Sequence, residues 1–182
     1  APATPKPASS EPSPARTTVG RAETLARELR TQQLEYQAGF VDELAAIDEY
    51  LDIEVIRFGS RLSVRKSIAP DTLDVVVPSL LLQPLVENCI KHGFARKVGP
   101  GTITIRSHRE RDLAVIEIED DGLGISDERL THALSSGIGL TNVNERLRVL
   151  YGATGRLTIT GSPGKGALAR VEIPLITAEE RI

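Results

Sequence analysis

The sequence predicts an α+β fold: a two-layer α/β sandwich with a mixed sheet of about five strands, covered on one face by about three helices. A helical segment precedes it. Two observations lead there. Stretches of period-two alternation are interspersed with stretches of helical period, the pattern of one sheet carrying helices. Hydrophobic residues make up 40% of the 182 positions but aromatics only 3%, with no Trp or Met, so the core that joins the layers is aliphatic. The net charge of −3 gives no general electrostatic case for nucleic acid or an anionic membrane.

The elements follow in order. Residues 1–20 hold five of the eleven prolines and almost no bulky apolar side chains, so they read as a disordered tail. Residues 21–53 turn to Ala, Leu, Glu, Arg and Gln; Leu25 and Leu29, then Phe40, Leu44, Ile47 and Leu51, keep helical spacing, with Gly39 as a possible break into two helices. Arg61–Ser67 alternates as a half-buried strand does, and Asp71–Pro78 reads as a connection. Pro84–Gly93 is a helix ending at a glycine. Strands follow at Thr102–Ser107 and Leu113–Glu119, with a hairpin at 108–112, a short helix near Asp127–Leu134 and a longer one from Leu140 to about Leu150. Arg156–Thr160 and Leu168–Ile173 are the last strands, and 177–182 is a tail.

The Pro84–Gly93 helix carries the first chemistry. At about 100° per residue, Leu82, Val86, Cys89 and Ile90 share one flank, and Glu87, Asn88 and Lys91 fall on the other. An amide oxygen suits Mg²⁺, and an ammonium meets phosphate as a point charge. An ordinary surface helix with a Glu87/Lys91 pair is the competing reading. The one cysteine, Cys89, lies on the apolar flank; packing accounts for it, in a reducing compartment. No apolar run reaches the ~18–20 residues that span a bilayer, and no basic-then-apolar leader opens the chain. It starts at Ala1, as a fragment of a longer protein does.

Two glycine motifs add to this. Asp120-Asp121-Gly122-Leu123-Gly124 comes straight off a strand, where glycines let a flat ligand approach the backbone and a carboxylate accepts from an exocyclic amine. Gly137-Ile138-Gly139-Leu140 leads into a helix, whose first N–H groups make a phosphate cradle. Neither has P-loop or Rossmann spacing. Each alone is also an ordinary turn.

In this fixed order the motifs resemble the gyrase/chaperone/histidine-kinase (GHKL) ATP-binding fold. Tyr50–Leu62, Leu82-Gln-Pro-Leu-Val-Glu-Asn88 with Lys91-His-Gly93, and Gly137–Leu147 resemble the LytS-type sensor histidine kinases over roughly residues 40–174. The resemblance implies an ATP- and Mg²⁺-binding catalytic domain over 54–176, with 21–53 as a remnant of a dimerisation hairpin. It implies that Asn88 ligates Mg²⁺, Lys91 contacts phosphate with His92 beside it, and Asp120 holds the adenine amino group. Gly122 and Gly124 would shape the base pocket, Gly137, Ile138, Gly139 and Leu140 would close over the phosphates, and residues of about 126–136 would form a lid. Glu87 would orient a nucleophile or water. The implied partners are a histidine-bearing dimerisation helix, a second copy of the full-length protein and a response regulator; the implied location is the cytoplasmic part of a membrane-anchored sensor.

Two departures stand out. Where the family has Gly-Thr, with a hydroxyl toward adenine, this chain has Gly166-Ala167. The family's phosphate-accepting histidine has no counterpart among His92, His108 and His132, the last two expected at a hairpin and in the lid. A non-catalytic nucleotide-dependent module, or a serine kinase of the anti-sigma-factor type, remains open beside the histidine kinase.

Overall fold

The computed structural model describes residues 37–95, 97–126, 128 and 138–176. All of them belong to one unit. The expected proline-rich tail, the helical stretch before residue 37, the short helix near Asp127–Leu134 (apart from Glu128), Gly137, His132 and the tail 177–182 lie outside them.

A short strand, β1 (Gln37–Gly39), leads directly into α1 (Phe40–Phe58). Gly39 therefore separates a strand from a helix rather than two helices. The strand exists because its backbone pairs antiparallel with β3 (Val76–Pro78), within the segment expected to be only a connection. Helix α1 has Asp42 and Glu43 in its first turn and Arg57 in its last, matching the helix dipole. Gly59 stops it in the left-handed region, at φ +59°. Phe40, Leu44, Ile47 and Leu51 form its buried stripe. The boundary expected at 53/54 falls inside this helix.

Strand β2 (Leu62–Ile68) opens the main sheet, and β3 is followed by α2 (Leu82–Asn88). Helix α2 begins two residues earlier than the sequence suggests. Pro84 sits in its first turn, where a missing N–H costs nothing. Instead of stopping at Gly93, the chain widens into a π-helical stretch over Cys89–Phe94. Strands β4 (Gly101–Glu110) and β5 (Leu113–Asp120) form a tight hairpin about Arg111 and Asp112. His108 is thus within β4, opposite Val115, and not in the hairpin turn. Next among the described elements come α3 (Ile138–Tyr151), then β6 (Arg156–Gly161) and β7 (Ala167–Pro174).

The expected mixed five-stranded sheet is present, in the order β2-β4-β5-β7-β6, with only β2–β4 parallel. The pleat sorts the residues by face. Ile103, Ile105, Ala114, Ile116, Ile118, Val171 and Ile173 point into one aliphatic core shared with α1, α2 and α3. The alternate residues form a charged outer face, where Arg106 pairs with Glu119 at 2.6 Å, and Arg170 with Glu117 at 2.9 Å and Glu110 at 2.7 Å. Among the described residues no helix is long and apolar enough to cross a membrane.

Candidate functional site

Gly93 in the π-helical stretch after α2, Asp120 and Gly122 at the end of β5, and Gly166 before β7 meet at one end of the sheet. Asp120 is the last residue of β5 and shares the core face with Ile118, so its carboxyl points inward and is only 5% exposed. Its Oδ1 accepts the N–H of Gly122 at 2.8 Å. The Cys89 thiol and Ala167, the partner of Asp120 on β7, lie beside this carboxyl and favour its charged form. Burial raises Asp120 above the ordinary aspartate value; the Gly122 N–H and the Cys89 thiol oppose the rise, and the neighbouring Asp121 adds to it. Burial and Asp120 together push the Cys89 thiol well up, which agrees with a packed, unreactive cysteine.

The glycines are there because the backbone leaves no room for side chains. A Cβ on Gly93 would lie 2.7 Å from Asp120 Oδ1, and one on Gly166 would lie 1.8 Å from the Asp120 carbonyl oxygen. Gly124, at φ +70°, brings its loop against Ser162, and the Gly164 N–H donates to the Leu123 carbonyl at 2.7 Å. The turn between β6 and β7 thus lies over the Asp121–Gly124 loop.

Asp121 does a different job from its neighbour. It is exposed, and accepts from Lys97 Nζ at 2.8 Å and from the Thr102 N–H at 2.9 Å. Burial pushes it up, but Lys97 and that N–H hold it below its ordinary value. It ties the rim of the site to β4.

Helix α2 presents the flanks the sequence implies. Leu82, Val86, Cys89 and Ile90 are buried, Glu87 and Asn88 half-buried, and Lys91 and His92 exposed. Leu85 is buried too, because α1 and the sheet enclose the helix on more than one side. Glu87 accepts from Lys91 at 2.6 Å and Gln83 at 2.9 Å. Those two hydrogen bonds, Lys91 first, hold its carboxyl below the ordinary glutamate value.

On α3, Ile138 is the first described residue and Leu140 is buried. Gly139 is helical rather than part of a loop, and a Cβ there would lie 3.6 Å from Pro84 Cβ. The start of α3 therefore lies against the first turn of α2. Sequence reasoning missed Glu43: from α1 it accepts the N–H groups of Leu80 at 2.7 Å and Leu82 at 3.1 Å. An acidic residue in a helix's first turn was the only signal, and it does not say which backbone it will meet.

Comparison with known proteins agrees with this architecture. Residues 74–177 match the model of the family described as histidine kinase-, DNA gyrase B-, and HSP90-like ATPase. The sensor histidine kinase BtsS of Escherichia coli (strain K12) is 34% identical over 133 residues, 73% of this chain and 23% of BtsS. The sensor protein LytS of Bacillus anthracis is 30% identical over 146 residues, 76% of this chain and 25% of LytS. The chain thus spans about a quarter of the length of these two relatives. The catalytic domain of histidine kinase ThkA is similar in fold, with TM-score 0.60 and 18% identity over 80% of this chain and 97% of that domain. ThkA has also been crystallised in complex with the response regulator protein TrrA. The chain belongs to the histidine kinase-, DNA gyrase B-, and HSP90-like ATPase family, and it is of the LytS type within it.

Proposed function

We propose that this chain is the ATP–Mg²⁺-binding catalytic domain of a LytS-type sensor histidine kinase, moving the γ-phosphoryl group of ATP to a histidine outside these 182 residues. The observation that carries the proposal is the inward-facing Asp120 carboxyl, held by the Gly122 N–H at 2.8 Å where Gly93, Gly122 and Gly166 let the backbone pack directly around it. A carboxylate fixed in this way suits the exocyclic amine of adenine, and a base without that amine leaves it unpaired. Gly122 and Gly124 shape the pocket. Ala167 pairs with Asp120 on the same sheet face and lines the site beside it.

At the phosphate end, Asn88 offers an amide oxygen to Mg²⁺, an ion that takes few protein ligands and keeps phosphates and waters. The ion would neutralise charge on the phosphates. The first N–H groups of α3, at Ile138, Gly139 and Leu140 behind Gly137, suit phosphate oxygens. Lys91 meets phosphate by leaving Glu87, a partly exposed pair whose breaking costs about 0–1 kcal/mol. His92 lies beside it, and Glu87, once released, orients the attacking group. Phosphoryl transfer asks mainly for positioning and charge neutralisation, which these residues supply.

The remaining partners follow from the same reading: a histidine-bearing dimerisation helix, a homodimeric full-length protein, and a response regulator, with the domain in the cytoplasm. Residues 54–176 hold the nucleotide machinery, and 21–53 are the remnant of a dimerisation hairpin, of which Phe40, Leu44, Ile47 and Leu51 pack into the core of this unit. Calorimetric titration with Mg·ATP tests the reading, with Asp120→Ala expected to weaken binding by about 1.5–3 kcal/mol. No heat at millimolar ATP refutes nucleotide binding. Binding without transfer to any added histidine-bearing hairpin favours the non-catalytic module, and transfer to a protein serine favours the anti-sigma-type kinase.

A further inference from the structure

The turn before α2 is held in an unusual way. Leu80 is a non-glycine residue at φ +58°, a conformation that costs a bulky side chain energy, and its side chain is 52% exposed. Nothing local caps the helix that follows, since Leu81 at its N-cap makes no side-chain bond. The cap comes instead from α1. Glu43, only 7% exposed, takes the Leu80 N–H on Oε1 and the Leu82 N–H on Oε2. Two further side chains grip the same segment from α3: Arg146 donates to the Ser79 carbonyl at 2.7 Å, and Tyr151 to the Val76 carbonyl at 2.7 Å. A strained turn therefore joins three helices, one of which carries Asn88.

We propose that Glu43 is a positioning residue for the phosphate end of the nucleotide, and that through it α1 sets the orientation of the helix bearing Asn88. The proposal rests on the ATP–Mg²⁺ reading of the site. Its logic is geometric. Asn88 lies six residues beyond Leu82, about 9 Å along the helix axis. A small tilt at the Glu43 clamp becomes a displacement at Asn88 comparable to the tolerance of a ligand geometry. Asp120 and Gly122 are tied to the far end of the same helical stretch by the Leu123 N–H to Gly93 carbonyl bond, whereas Glu43 holds its beginning. Loosening the clamp therefore lets the helix pivot about that tied end, which penalises the Mg–phosphate contacts more than the base contacts. A carboxylate is required because two N–H donors must be met at once; an amide supplies one acceptor oxygen and turns a donor toward the other N–H.

The test measures the affinities of Mg·ATP and adenosine by calorimetry for the wild-type chain and Glu43→Gln, with circular dichroism as the check on folding. If only about one molecule in ten keeps the competent orientation, Glu43→Gln binds Mg·ATP about tenfold more weakly. Adenosine affinity is expected to fall by less. Equal weakening of both ligands, or of neither, overturns the proposal, because a merely structural cap would not separate them. Should Glu43→Gln fail to fold, amide hydrogen exchange on the wild-type chain decides: Mg·ATP should slow exchange at Leu80 and Leu82 while adenosine should not, and identical exchange with both ligands overturns the proposal. Absence of any adenosine or Mg·ATP binding by the wild-type chain refutes the nucleotide reading itself, a result distinct from an unaltered ratio in the variant.

Discussion

Gly93 and Gly122 meet back to back: a Cβ on Gly122 would lie 2.4 Å from the Cα of Gly93 and 2.6 Å from Asp120 Oδ1. The contact joins the end of the asparagine helix to the loop after β5, and the Leu123 N–H fastens it by donating to the Gly93 carbonyl at 3.2 Å. Backbone cannot give way there as a flexible side chain does. Gly122→Ala is expected to destabilise the fold by about 1–3 kcal/mol, the usual cost of overpacking. Thermal unfolding checks it: a melting temperature equal to wild type would mean the loop moves aside freely.

The Asp120 carboxyl gives a pH prediction of definite sign. Burial holds its folded-state pKa above the unfolded one. The folded chain then binds that proton more tightly, so the stability this group contributes is full below the ordinary aspartate range and is lost as pH rises through the raised value. Asp120→Asn keeps an oxygen for the Gly122 N–H and cannot ionise. Relative to wild type it should be more stable at neutral pH, with the advantage shrinking toward about pH 4 and below. Urea unfolding midpoints across that range decide the matter; a difference independent of pH contradicts it.

Ala167 pairs with Asp120 across the β5–β7 ladder, so its methyl lies on the same face as the carboxyl. A threonine there places a hydroxyl beside the base. Ala167→Thr should tighten adenine nucleotide binding up to about tenfold, or ~1.4 kcal/mol. An unchanged or weaker dissociation constant would show that the pocket meets the base in another way.

Histidine phosphorylation is the fourth expectation, and it is negative for this chain by itself. In-line attack requires an imidazole nitrogen aimed at the γ-phosphate. His92 is exposed one turn beyond Asn88, on the same helix, and His108 lies on the outer sheet face against Glu110 at 2.9 Å. Incubation with labelled ATP should leave no acid-labile, base-stable label. Such label appearing, and vanishing in His132→Ala, would assign the acceptor to that residue instead.

Much of the fold was legible because its signals are periodic. β4 alternates in burial from Gly101 to His108 and β5 from Ile116 to Asp120, and α1 repeats its apolar positions at Phe40, Leu44, Ile47 and Leu51. Asp120 was legible as a carboxylate at a strand end followed by glycines. What was not legible depends on partners distant in sequence. β1 and β3 are three residues each, too short for any period, and exist through mutual pairing. Glu43 meets Leu82 across 39 positions. The thiol of Cys89 reads as core from its flank, and only the folded chain shows it beside Asp120. The π-helical turns at Cys89–Phe94 likewise leave no mark on a helical wheel.

Helix α1 has a practical consequence for anyone who would exchange parts between such proteins. The residues shared across the ATPase family begin at 74, yet Phe40, Leu44, Ile47 and Leu51 fill the same core as Leu82, Leu85 and Ile105. A chimera joined at residue 74 would strip these four apolar side chains from under α2, together with β2 and its buried Leu62, and expose their seats to water. Swapping at residue 37, before β1, carries the helix and its strand with the unit they complete. The natural seam of this module lies upstream of its family signature.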